Sequence, residues 1–188
     1  SPLINFKPFP TQYALSGIGV IPTKGFNNKK IYSNPISGDL ANYWIKTAWN
    51  SFHENLKGIL TETKKRHGYN ILLDFHSMPS NLLYSKKIDV VIGDCYGKSS
   101  SKKLVNYIKD FFVNKNYNVN LNKPFAGGYI TKNYGKPNDK SHAIQIEFNR
   151  SLYLDEKTRK KNMNFKNIKN LIKNLLEDLE IQKNKLLT

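Results

Sequence analysis

The stretch Ile71-Leu72-Leu73-Asp74-Phe75-His76-Ser77 decides how this chain reads. On an extended strand Ile71, Leu73 and Phe75 point to one side, and Leu72, Asp74 and His76 to the other. A strand that is apolar for most of its length and ionisable only at its carboxyl end is how an open α/β sheet delivers side chains to a cleft. Residues 143–149 follow the same logic. There Ile144, Ile146 and Phe148 form one face, Gln145, Glu147 and Asn149 the other, and Glu147 is a lone acid among neutral neighbours. An imidazole and a carboxylate on separate buried strands are the minimum equipment of a metal hydrolase.

Outward from these two strands, the remaining pattern alternates helix and strand. Leu40, Trp44, Ala48, Trp49, Phe52, Leu56, Ile59 and Leu60 recur at three and four residues, which predicts a long amphipathic helix over residues 39–66, ended by Gly68. His53 sits beside that stripe and reads as a boundary histidine packing its ring edge. Residues 88–93 are a short apolar run of the kind found in buried parallel strands. Ser99, Ser100 and Ser101 offer caps for a helix over 102–114, with Leu104, Val105, Ile108, Phe111 and Phe112 inward. A last helix is predicted over 164–179, with Phe165, Ile168, Leu171, Ile172, Leu175 and Leu179 packed. This order means an α/β fold, and 188 residues suffice for a single domain with its own core. The opening residues 1–37, with Pro2, Pro8, Pro10, Pro22 and Pro35, read as loop with one short strand.

Composition excludes several function classes. The net charge of +16 would suit an anionic partner, but the cations are lysines apart from Arg66, Arg150 and Arg159. Lys, Asn and Ile enrichment is what an AT-rich coding sequence produces, and the guanidinium forks that read phosphate and guanine are nearly missing. No dedicated nucleic-acid partner is therefore expected. No apolar run is long enough to span a bilayer, so no membrane partner is expected either. The lone Cys95 excludes a disulfide framework within the chain and fits a reducing cytoplasm. The segment from Gly93 to Ser99 has three residues between its glycines where a phosphate loop needs four, so it reads as a turn before a capped helix. Gly127 and Gly128 let the backbone pass close to a ligand or bend a strand, and Tyr129, Lys132 and Tyr134 could reach a substrate from there.

The motifs in their order resemble the N-formylglutamate amidohydrolase (formylglutamate deformylase) family. The matching pieces are Gly17-Ile-Gly-Val-Ile-Pro22, Ile31-Tyr32, Phe52-His53 with Leu56, and Asp74-Phe-His76-Ser77-Met78-Pro79. They continue with Gly93-Asp94 and Gly97, Phe125-x-Gly-Gly-Tyr-Ile-Thr131 with Tyr134-Gly135, and His142-Ala-x-Gln145-x-Glu147 followed by Leu152-Tyr153-x-Asp155-Glu156. The resemblance implies a fold similar to the zinc carboxypeptidases, a three-layer open mixed sheet with helices on both faces. It further implies a metal-dependent amidohydrolase that releases formate from N-formyl-L-glutamate, with zinc as cofactor, His76 as a metal ligand and Glu147 as the catalytic carboxylate. Asp74, on the His76 face, is a candidate for orienting that histidine or meeting substrate; the plainer reading is a loop cap. Arg150 and Lys132 could pair with the carboxylates of an acidic N-acyl amino acid, although for each a solvated surface cation is the plainer reading.

Relatives carry further metal ligands and an Asp-Leu-Asn-Arg element upstream of the region that Ser1 begins. Part of the family's N-terminal half is accordingly expected to be absent from residues 1–188, and no oligomeric state is assigned. Thr23 and Cys95 stand where relatives usually carry Arg, and Asn133 where His is common. The alternatives are a non-catalytic relative or fragment that keeps the scaffold as a binding module, and a hydrolase of another N-acyl amino acid.

Overall fold

The computed structural model describes residues 19–25, 28–82 and 88–187. Gly17 and Ile18 of the glycine-rich segment, and Pro2, Pro8 and Pro10, lie outside the described residues. The chain divides into two compact units, Ser1–Ile59 and Leu60–Thr188.

In the first unit an isolated antiparallel bridge joins Lys24 and Lys30. Helix α1 (Gly38–Trp44) starts where the Ser37 hydroxyl accepts the Leu40 N–H at 3.2 Å, satisfying one orphan donor of the first turn. The periodicity of residues 39–66 predicts one continuous helix. Instead a π-helical stretch, Ile45–Asn50, separates α1 from α2 (Ser51–His67). Such a stretch widens the turn and rotates the stripe, so three-and-four spacing stops describing one straight face. None of the residues of α1, the π stretch or α2 is buried. His53 does pack as a ring edge, 4.2 Å from Trp49 and 5.1 Å from Phe52.

The second unit opens on the end of α2, closed by Gly68 at φ 80° with its N–H on the Lys64 carbonyl, as predicted. Strands β1 (Asn70–Met78), β2 (Val90–Gly93), β3 (Val119–Leu121) and β4 (Ser141–Asn149) form one sheet in the order β1-β4-β2-β3. β1 runs parallel to β4 and β2 parallel to β3, while β2 and β4 are antiparallel, so the sheet is mixed and open as expected.

Helix α3 (Lys102–Val113) is capped by the Ser101 hydroxyl, and α4 (Tyr129–Tyr134) and α5 (Phe165–Leu187) complete the set. Val90, Ile92, Ile144, Ile146 and Phe148 meet Leu104, Ile108 and Phe112 of α3 and Ile168, Leu171 and Leu175 of α5 in the main core. Phe148 stands between Phe75, stacked at 6.4 Å, and Phe112, edge-on at 5.7 Å. α5 runs eight residues beyond the predicted stop because its stripe continues through Leu186, which is buried. The other face of the sheet carries Gln145, Glu147 and Asn149, and α4 packs there against β4 and β1. Gly127 and Gly128, read as a close backbone approach or a strand bend, lead into a helix at 129–134, a segment to which the sequence pattern assigns no element.

Tyr107 of α3 donates to the Asp178 carboxylate of α5 at 2.5 Å. Burial and that carboxylate push the Tyr107 phenol up to about 12. Below the ordinary phenol value near 10, both folded and unfolded chains keep the proton and the bond contributes fully. Between about 10 and 12 the unfolded chain ionises first, so stability falls as pH rises. Tyr107→Phe is expected to cost about 1 kcal/mol at neutral pH and to remove this alkaline loss, as thermal melts at pH 8 and 11 would show.

Candidate functional site

Parallel pairing of β1 with β4 sets Asp74 opposite Gln145 and His76 opposite Glu147. Residues that face each other in a ladder project to the same side, so the acid and the imidazole, far apart in sequence, become neighbours. His76 Nε2 lies 3.0 Å from Asp74 Oδ2, and His76 Nδ1 lies 3.9 Å from Glu147 Oε1. Asp74 thus engages the histidine from its own strand, in place of the loop-capping alternative, and Glu147 approaches its other nitrogen.

Glu147 is almost fully buried, while the His76 side chain is 46% exposed. Burial pushes the Glu147 carboxyl above the usual carboxylate range; the charge of His76, a bond from Gln145 and the charge of Arg150 pull it back, and Asp74 adds to the rise. A buried acid with a raised proton affinity, set beside a solvent-reaching imidazole, is placed to take and return a proton.

Arg150 follows β4 in a short 3-10 turn, Arg150–Leu152, and its guanidinium reaches Ser77 at the end of β1, 3.2 Å from the Ser77 carbonyl. It is therefore tied beside the histidine and is not a free surface cation. Tyr129 begins α4 immediately after Gly128, whose N–H donates to Gln145 Oε1 at 2.7 Å. The Tyr129 ring itself is 54% exposed. Lys132, one turn further, is also exposed, and its charge acts on the Cys95 thiol, which burial pushes up. The structure so brings Asp74, His76, Glu147 and Arg150 together, and leaves Tyr129 and Lys132 on the adjoining helix. The groove of about 500 Å³ beside the end of β1 lies toward α5, between Phe75, Phe148 and Phe165, and borders His76 but not Glu147.

The segment from Gly93 to Ser99 is the turn expected before a capped helix. Cys95, Tyr96 and Gly97 have φ of 53°, 57° and 81°. The Asn122 side chain holds them, accepting from the Asp94 and Tyr96 amides and donating to Asp94 Oδ1 at 2.7 Å. Sequence reading passed over Gln145, which donates to Glu147 Oε1 at 2.9 Å. The available signal was its place two residues before Glu147, which puts both on one face of a strand.

His142 does not join the site. It is buried at the start of β4, where Nδ1 accepts the Ser101 N–H at 3.2 Å, at the entry to α3. Burial holds its proton affinity below the ordinary histidine value, so the unfolded chain takes up a proton first as pH falls below about 6.5. Stability is expected to be full above that value and to decline toward pH 5, and His142→Gln to flatten the decline in melts across that range. Among the described residues no group of three or more His, Cys, Asp and Glu could hold a metal ion. Within the second unit, His67 does not join His76 in such a group.

The model of the family described as N-formylglutamate amidohydrolase matches residues 5–154. The chain belongs to the N-formylglutamate amidohydrolase family. It is similar to the N-formylglutamate deformylase of Pseudomonas putida, 29% identical over 150 residues that cover 77% of this chain and 56% of the relative. To the enzyme of that name from Pseudomonas aeruginosa it is 27% identical over the same shares. The crystal structure of N-formylglutamate amidohydrolase from Ralstonia eutropha JMP134 superposes with a TM-score of 0.81 at 25% identity, covering 87% of this chain and 61% of that one. The chain therefore spans a little over half the length of the curated relatives. The family match stops at Leu154, so the whole of α5 lies beyond it, as does Lys161, which bridges back to Leu154. No described helix is long and apolar enough to cross a membrane.

Proposed function

We propose that the protein hydrolyses the formyl amide of N-formyl-L-glutamate to formate and glutamate. The observation that carries this reading is the meeting of His76 and Glu147 across the β1–β4 ladder in a chain of this family. A formamide carbonyl is a poor electrophile, so a water must be deprotonated as it attacks and the leaving amine must be protonated as it departs. Glu147, buried and raised in proton affinity, accepts the water's proton and returns it to the amine nitrogen. Asp74 orients His76, and Arg150, anchored on Ser77, meets a carboxylate of the acidic substrate, with Lys132 and Tyr129 on the adjoining helix completing its recognition. Formate release from N-formyl-L-glutamate, compared with N-acetyl-L-glutamate and N-formylmethionine, tests both the reaction and the substrate. Preferential release from another N-acyl amino acid would move the assignment to that substrate.

Zinc and metal dependence belong to this proposal through the resemblance alone, with His76 as the ligand. The described residues do not by themselves fit a catalytic zinc site, which takes three protein ligands, because no such group stands together among them. The same observation favours a second reading, a scaffold with an incomplete site that binds and does not turn over. Residues 1–188 purified alone are expected to retain well under one zinc per chain after dialysis, measured by elemental analysis. One tightly held ion per chain would overturn both that expectation and the scaffold reading.

A further inference from the structure

Gln145 is buried in β4 and makes two bonds of opposite polarity. Its Oε1 accepts the Gly128 N–H at 2.7 Å, and its Nε2 donates to Glu147 Oε1 at 2.9 Å. A backbone amide can only donate, so the side-chain oxygen must face Gly128, and the NH₂ group is then left for the carboxylate. Both ends agree on one orientation of the amide. We infer that Gln145 is a positioning residue: it fixes the Glu147 carboxylate and couples it to the turn at Gly127 and Gly128, a role that rests on the function proposed above.

The far end of this relay is stiff. A Cβ on Gly93 would lie 2.6 Å from the Ala126 carbonyl carbon and 2.7 Å from the Gly127 nitrogen, so the turn is seated directly on the end of β2. Cys95 N–H donates to the Ala126 carbonyl at 2.7 Å. Gly127, at φ 120°, has Thr131 Cγ2 at 2.9 Å and Cys95 Sγ at 3.0 Å from where a Cβ would stand. Gly128 N–H is consequently a donor that cannot move far, and the Gln145 amide it holds cannot turn. A bond from a fixed donor to a buried carboxylate is charge-assisted and loses little to water. It therefore sets where the Glu147 oxygens point, which the proton transfers require.

The test uses Gln145→Leu, which removes both bonds, and Gln145→Glu, which keeps the acceptor for Gly128 and replaces the fixed NH₂ donor by a second carboxyl that competes with Glu147 for a proton. Each is assayed for formate release, thermal stability and the amide proton shift of Gly128 by NMR. In both, kcat is expected to fall by about 100-fold with KM changed far less, the scale of effect that a small misplacement of a reacting group produces. The Gly128 resonance is expected to move upfield in Gln145→Leu and to stay near its position in Gln145→Glu. It is also expected to respond to Glu147→Ala, through the shared amide. Wild-type kcat in Gln145→Leu, or a loss that merely follows the folded fraction, overturns the inference. So does a Gly128 resonance indifferent to Glu147→Ala. If the wild-type protein releases no formate, the proposed function fails, and the amide shifts decide this inference by themselves.

Discussion

Glu147→Gln is expected to abolish formate release, with kcat lowered by about 10²- to 10⁴-fold, the usual contribution of a general acid–base group. The substitution is close to isosteric, and its side-chain oxygen can still accept from Gln145, so the sheet should survive it. The wild-type carboxyl sits at the strand position opposite His76, almost excluded from solvent, where desolvation raises its proton affinity. An amide in that place can neither take the proton of an attacking water nor deliver one to the amine. Formate production is the direct measurement, with circular dichroism to verify the fold. Undiminished turnover by the variant would remove Glu147 from the chemistry and leave His76 without its partner.

Gly93→Ala is expected to destabilise the second unit by about 3 kcal/mol, toward the upper end of ordinary overpacking, and to lower its melting temperature by roughly 6–12 °C. The added methyl would meet backbone, at 2.6 to 2.9 Å from the atoms of Ala126 and Gly127, and backbone cannot rotate aside as a side-chain tip can. Relief requires moving the turn, and that turn carries the N–H that holds Gln145. Activity should therefore fall even at temperatures where the variant remains folded. A melt indistinguishable from wild type would mean that the turn has slack the distances deny it.

Local pattern made some of this legible. The alternation in residues 71–77 and 143–149 put the acid and the imidazole on the correct faces, because strand periodicity is a property of the backbone and needs no partner. Ser101 as a cap and Gly68 as a helix stop follow from the same kind of local chemistry. The turn after β2 was legible from a glycine count. Misread were the places where one segment's shape depends on another. The π-helical stretch at Ile45–Asn50 has no signature in three-and-four spacing. Helix α4 follows paired glycines that locally permit almost any path, and contact with Gln145 and Thr131 selects the helix.

The order of residues, taken alone, was enough to establish an α/β chain with two strands carrying reactive side chains. It could not say that β1 and β4 lie side by side in parallel with His76 opposite Glu147, since the sequence contains no term for which strands share a ladder or in what register. That choice is made by burial. A shift of the ladder by one residue would send Ile144, Ile146 and Phe148 away from α3 and α5 and bring Gln145 and Glu147 into the apolar core. The packing of a greasy face thus decides where a carboxylate on the opposite face comes to rest.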